Sequence, residues 1–170
     1  VSSDYAVDQR IGNEIVKAQA DAYRRLRNTL RFLLGNLAEF DDSERLDVSD
    51  MPELDQWALH RVSELDQLVR QCCDDFDFHR LYVALGNFCT NDLSAFYLDI
   101  RKDALYCDDC ASIRRRAART VLDHVFSRLT AWLAPILCFT AEEAWRVRFP
   151  EDDSVHLRQF PEPPGDWRND

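Results

Sequence analysis

Two kinds of residue in this chain could do chemistry at a binding surface: arginines grouped at helical spacing, and carboxylates set among apolar neighbours. Arg24, Arg25, Arg27 and Arg31 lie close together, Arg101 stands beside Lys102, and the run Arg114-Arg115-Arg116 is followed a turn later by Arg119. A guanidinium is a planar, permanently charged fork of donors, so grouped arginines suit phosphate or carboxylate oxygens rather than an acid–base step. Asp92 and Asp99 belong to the stretch Asp92 to Tyr106, DLSAFYLDIRKDALY. Stepping about 100° per residue from Leu85 puts both on the side of Leu81, Phe88, Cys89, Phe96 and Ile100. A carboxylate facing a core is costly unless paired, so each is expected to meet a cation from a neighbouring helix.

Other chemistries find little support. The chain has no Gly-rich phosphate loop, no Gly-x-Ser-x-Gly elbow and no His-Glu-x-x-His helix, and His60, His79, His124 and His156 are scattered over separate segments. No Glu is followed by His three residues later, which argues against a carboxylate-bridged metal bundle. Cys107-Asp-Asp-Cys110 has the spacing of half a zinc site but no second pair at comparable spacing, so the expectation is a loop thiol pair without metal. Cys72, Cys89 and Cys138 sit in apolar helical patterns and read as reduced core thiols, which implies a reducing compartment.

The elements that must position the arginines read as helices. Ile15, Gln19, Tyr23, Leu26, Leu30, Leu33, Leu34 and Leu37 recur at threes and fours, predicting a helix from about Gly12 to Asn36. Asp50-Met-Pro52 starts a second helix, whose apolar face includes Leu54, Trp57, Val62, Leu65, Val69 and Cys72. Asp77 caps a third helix that runs to about Asp103; so short a connection makes it an antiparallel neighbour of the second. A fourth begins near Ser112 and is bent or ended by Pro135, and Thr140-Ala-Glu-Glu143 is a capping box for a short fifth helix closed by Pro150. With no strand-like alternation, the expected fold is all-α: an antiparallel helical bundle of four long helices plus a short fifth. Residues 12–149 make the bundle, 1–11 an incoming linker and 150–170 an exit linker. At 170 residues without an initial Met, a signal-like run or a membrane span, the chain is expected to be a soluble piece of a larger polypeptide.

The net charge of −10 disfavours a nucleic-acid partner until its distribution is considered. Residues 39–55 and 151–170 together carry −11, leaving +1 on the rest, and residues 101–119 carry +3. A basic patch can therefore sit on an acidic protein. With Leu30 as zero, Arg24, Arg27 and Arg31 lie at about 120°, 60° and 100°, one stripe beside the core, whereas Arg25 lies on the far side with Phe32. Arg27 is close enough to the core direction to pair with Asp92 or Asp99, and Arg114 is expected to clamp a carboxylate or carbonyl at the bundle end. Arg116 and Arg119 point outward on the wheel. With Arg24, Arg31, Arg101 and Lys102 they are the candidates for phosphate contact.

The stretch from Tyr23 to Leu37 with its RNTLRFLLGNL run, the FYLDIRKD run within residues 92–103, and Ala134 to Glu143 (APILCFTAEE) occur in this order. In all three the chain resembles the anticodon-binding helical domain of class I aminoacyl-tRNA synthetases, in wording closest to the isoleucyl branch. The resemblance covers about Val1 to Phe149. It implies a module that binds tRNA(Ile) beside the catalytic domain of the same polypeptide, in the cytoplasm, with neither a membrane nor DNA as partner. It also implies that ATP and magnesium serve that catalytic domain, whose HIGH and KMSKS signatures are not in this sequence, and that zinc belongs to a separate C-terminal module. This chain would then catalyse nothing and need no cofactor of its own. The competing expectation is a non-catalytic protein-interaction bundle whose acidic loop and tail meet basic partners.

Overall fold

A computed structural model describes Asp8 and residues 11–168. Most of the expected incoming linker, 1–11, lies outside the described residues. Among the described residues all regular structure is helical. The helices are α1 (Asn13–Asn36), α2 (Glu53–Asp74), α3 (Phe78–Asn87), α4 (Asp99–Cys107), α5 (Ile113–Leu133) and α6 (Cys138–Arg148). Between α3 and α4 the chain stays coiled through the π-helical segment Phe88–Leu98, so residues 78–107 form one rod.

The starts and stops have local causes. Asp77 accepts the backbone N–H of Arg80 at 3.1 Å and opens α3. Pro52 stands at the N-cap of α2, and α5 stops at Leu133, just before Pro135. Thr140 does not cap α6. That helix begins at Cys138, and the Thr140 hydroxyl meets the Tyr23 hydroxyl at 3.0 Å, tying α6 to α1. Cys138, expected in the core, is exposed at this helix start.

At the centre of the fold lies α5, in contact with α1, α2, α4 and α6. Fifteen of its 21 residues are buried, and Phe126, Leu129 and Leu133 are completely so. Each such side chain contributes about 1.5–3 kcal/mol by leaving water. The first half of α1 is not covered: Ile15 and Val16 are 43% and 60% exposed, so the expected core stripe of α1 becomes buried only from Leu26 onward.

Two further expectations fail. The segment 150–168 is not a free linker, because Val155 and Trp167 are buried in the common core. Arg128 donates to the Glu162 carbonyl at 3.0 Å with its guanidinium 4.2 Å from the Trp167 ring centre, and Arg70 donates to the carbonyls of Phe160 and Pro161. The second failure concerns the rod. Phe96, Asp99 and Ile100 are exposed, and the buried positions Leu85, Cys89, Leu93, Tyr97, Arg101 and Leu105 recur every fourth residue. In an α-helix a four-residue step overshoots one turn by about 40°, so such a stripe would wander by about 200° between Leu85 and Leu105. The wider π turns, with i→i+5 pairing, take up part of that overshoot and keep the stripe facing the core.

A candidate nucleic-acid interface

The buried stripe of the rod carries its own charge. Asp55 of α2 is fully buried; its Oδ1 accepts the Tyr97 hydroxyl at 2.6 Å and Arg101 Nε at 3.0 Å, and its Oδ2 accepts Arg101 Nη2. Burial would lower the pKa of Arg101, but the hydrogen bonds and charge of Asp55 outweigh it and raise the value. Burial, then the Asp55 charge, pushes the Tyr97 phenol well above its usual range. Arg101, a phosphate candidate in the sequence, is therefore an internal bolt between α2 and the rod. The wheel missed it because the phase slips through the π segment.

Arg119 is also turned inward. Its Nη1 donates to both carboxylate oxygens of Glu44 at 2.8 and 2.7 Å, Nε to the Asn36 carbonyl and Nη2 to the Ala38 carbonyl. Arg116 donates to the carbonyls of Glu44 and Ser43. The acidic loop after α1 folds back over this face of α5 and engages both arginines, a tertiary contact no helical wheel contains. The loop turns at Glu39, whose φ of 59° is left-handed, and Phe40 is buried with the guanidinium carbons of Arg45, Arg119 and Arg148 at 5.6, 5.4 and 5.6 Å from its ring centre. Asp123 balances that charge, accepting from Arg45 at 2.8 Å and Arg148 at 3.1 Å.

The remaining expected pairs re-sort. Asp92 is half-buried and accepts Arg61 of α2 at 3.0 Å, not Arg27. Arg27 pairs with Glu143 of α6 at 2.8 Å, while Asp99 is exposed and has no ion pair among the described residues. Arg114 pairs with Asp108 at 3.0 Å, and Arg24, 68% exposed, with Asp21 at 2.8 Å. Cys107 and Cys110 are exposed free thiols, and Cys110 Sγ receives Arg115 Nη1 at 2.6 Å. Among the described residues no group of three or more His, Cys, Asp or Glu could hold a metal ion.

What is left over is informative. The side chains of Arg25, Arg31 and Lys102 are exposed and make no hydrogen bond or ion pair among the described residues, as is also true of Lys17 and Arg80 elsewhere on the surface. All three line one trough between α1 and the rod, built from hollows of about 330, 480 and 460 Å³ in series. The first two share Arg25 and Thr90; the second and third share Asn28, Phe32 and Tyr106. The rod wall of the 480 Å³ hollow includes Thr90, Ser94, Leu98, Lys102 and Tyr106, again every fourth residue and each one place after the buried stripe, with Cys89 and Asp99 beside them. The π turns that aim Tyr97 and Arg101 at Asp55 therefore also align this wall. Cys89 is in the same hollow but buried, and burial pushes its thiol up to about 12, so it is not a nucleophile at neutral pH.

Among these, Arg31 and Lys102 were legible in the sequence. Arg25, Asn28 and Tyr106 were not marked as site residues, although the four-residue recurrence from Leu85 to Leu105 was there to find. The trough offers cations, amides, hydroxyls and aromatic rings along a groove, the set that single-stranded or looped RNA uses. Among the described residues no helix is long and apolar enough to cross a membrane.

A family model for the anticodon-binding domain of tRNA ligase matches residues 55–170. Over 169 residues the chain is 59% identical to isoleucine–tRNA ligase of Ruegeria pomeroyi, covering 98% of this chain and 17% of that protein. The corresponding enzyme of Agrobacterium fabrum is 52% identical over 170 residues, covering 100% of this chain and 18% of that one. That of Gluconobacter oxydans is 54% identical over 169 residues, with 99% and 18% covered. The chain thus spans 17% to 18% of the length of these relatives.

Proposed function

The chain belongs to the anticodon-binding domain family of tRNA ligases, and from that premise we propose that it holds the anticodon arm of tRNA(Ile) in the trough between α1 and the rod. The single observation that carries this reading is that Arg25, Arg31 and Lys102 remain unpaired and share one groove, while most other arginines are tied to carboxylates or carbonyls. In this reading the helices act as a stiff antiparallel bundle that binds and positions. α1 has 24 residues and so spans about 36 Å, room for an RNA stem-loop to lie along it. Isoleucine activation with ATP and magnesium belongs to a catalytic domain of the same, cytoplasmic polypeptide. Zinc, where the larger protein carries it, sits in another module.

The test is the triple substitution R25A/R31A/K102A in the full-length polypeptide, with tRNA(Ile) binding measured from low to moderate salt. Affinity should fall, and the slope of log K against log salt should become shallower by about two, each phosphate contact contributing about 0.7–0.9. R116A, whose guanidinium is held by the acidic loop, should leave that slope alone. An unchanged slope in the triple variant overturns the assignment of the trough.

A further inference from the structure

We propose that the face between α2 and the rod docks a basic amphipathic helix of a partner protein. This face is separate from the trough, which lies along the rod's other flank, between the rod and α1.

The rod builds the face with the same four-residue step. Phe88, Asp92, Phe96, Ile100 and Ala104 each stand one place before a residue of the buried stripe, as the trough wall stands one place after it. The first three meet α2. Phe88 shares a hollow with Leu65 and Leu68, Asp92 accepts Arg61 at 3.0 Å, and the Phe96 ring meets Trp57 edge-on at 5.0 Å between centres. Phe96 nevertheless remains 46% exposed, and Ile100, one turn further on, 51%. Two apolar spots therefore lie along one line: the strip of Trp57, Phe96 and Ile100, and a hollow of about 240 Å³ lined by Leu65, Leu68, Ala84 and Phe88. The Arg61–Asp92 pair stands between them.

Their spacing fits a helix. Leu65 follows Trp57 by eight residues in α2, which puts the spots about 12 Å apart. On a second helix lying along the line, apolar side chains seven or eight residues apart would reach both, which is how amphipathic helices enter grooves. The hollow is smaller than the roughly 300 Å³ at which small-molecule pockets begin, and suits one side chain of such a helix. Charge sets the chemistry of the flanks. Glu53 lies one turn before Trp57, Asp103 about one turn after Ile100, and Glu64 borders the hollow; all three are exposed, and Glu53 and Asp103 have no ion pair among the described residues. With Asp92 they set four carboxylates against one permanent cation, Arg61. Such a rim repels RNA and anionic lipid and attracts lysine or arginine beside an apolar stripe.

The experiment uses the full-length polypeptide and, as probe, a fluorescein-labelled peptide of about 18 residues, five helical turns, made of leucine and lysine with the leucines on one face. A second peptide carries glutamate in place of every lysine. Fluorescence anisotropy at moderate salt should show the lysine peptide bound and the glutamate peptide free. Ile100→Ser should weaken binding about tenfold, the worth of one large apolar side chain left in water, while melting with the parent because Ile100 is not in the core. E53K/D103K should weaken it at least as much and reduce its salt dependence. R25A/R31A/K102A, in the trough, should not weaken it. Equal affinity for the parent, I100S and E53K/D103K means that the peptide adheres elsewhere on an acidic surface and overturns the site, as does no binding, or equal binding of the glutamate peptide. Two other occupants would also overturn it. A second copy would show as a sedimentation mass that grows with concentration in the parent and not in I100S. Another domain of the same polypeptide would show as an Ile100→Cys thiol that resists alkylation until the protein is unfolded.

Discussion

Removing either member of the Asp55–Arg101 pair tests whether the rod is bolted from inside. Asp55 is fully buried and receives Tyr97 and both Nε and Nη2 of Arg101, so Arg101→Met leaves a buried carboxylate with a single phenol donor. Breaking a buried pair on one side costs about 3–5 kcal/mol, about a fifth or more of the stability of an ordinary domain. Asp55→Ala strands the buried guanidinium and should cost a similar amount. For a domain of this size each kcal/mol lowers the melting temperature by about 2–4 °C, so either single variant should melt about 6–20 °C lower. Tyr97→Phe, which deletes one hydrogen bond to a charged acceptor, should cost about 1.5–3 kcal/mol. The double variant D55L/R101M removes both charges and fills the site with apolar atoms, so it should be more stable than either single substitution. Urea unfolding followed by far-ultraviolet circular dichroism reads all four. Singles within about 0.5 kcal/mol of the parent, or a double whose loss equals their sum, would refute a buried, mutually dependent pair. At temperatures where R101M is folded, the salt slope of tRNA binding should match the parent, since this guanidinium is buried against Asp55.

Other outcomes are specific enough to check. Arg119→Ala removes the donors that hold Glu44 and two carbonyls, and should destabilise by about 2–4 kcal/mol in a denaturant titration without changing the salt slope. Burial, helped by Arg45 and Arg128, lowers the His124 pKa from 6.5 to about 4. The unfolded chain then takes up a proton that the folded chain refuses, so stability should fall as pH drops from about 6.5 to about 4, by about 3 kcal/mol in all, and His124→Gln should flatten that part of the profile. Trp167→Ala should cost about 3–5 kcal/mol by emptying the site between Arg128 and His124, a loss a free linker would not show. Gly35 is helical and a Cβ there meets nothing within 4 Å, so Gly35→Ala should raise stability by up to about 1 kcal/mol.

Helix existence was legible because periodicity and capping are local. The Asp77 cap, the Pro52 start and the stop before Pro135 each follow from a few adjacent residues. Two kinds of information were not local. Glu44 reaches Arg119 across 75 positions of sequence, so that arginine looked solvent-facing on a wheel and is buried in the fold. The π segment changed the angular step itself, and every inference drawn past Phe88 at 100° per residue inherited the error: Asp99, Phe96 and Ile100 moved to solvent, Arg101 to the core. The trough shows the same limit from the other side, because Arg25 and Tyr106 are far apart in sequence and line the same hollow from two helices.

On the reading proposed above, an acidic chain that takes RNA along a narrow strip gains discrimination from its own surplus of negative charge. Arginine frequency is a poor footprint here: Arg45, Arg70, Arg101, Arg119 and Arg148 all hold carboxylates or carbonyls inside the fold or at its seams. Their positive charge is balanced locally and projects little field. The exposed carboxylates that remain repel a polyanion from most of the surface, while the unpaired cations of the trough attract it to one line. The alignment of that line depends on the rod, since Lys102 and Tyr106 each follow a residue of the buried stripe and keep its four-residue step. Loosening the Asp55 bolt should therefore blur the wall of the trough before it unfolds the chain. In the full-length polypeptide Tyr97→Phe should lower tRNA affinity at a temperature well below its melting point, while the number of phosphates contacted, read from the salt slope, stays the same. A Y97F variant that is less stable yet binds tRNA as tightly as the parent would show that the bolt and the trough are mechanically independent.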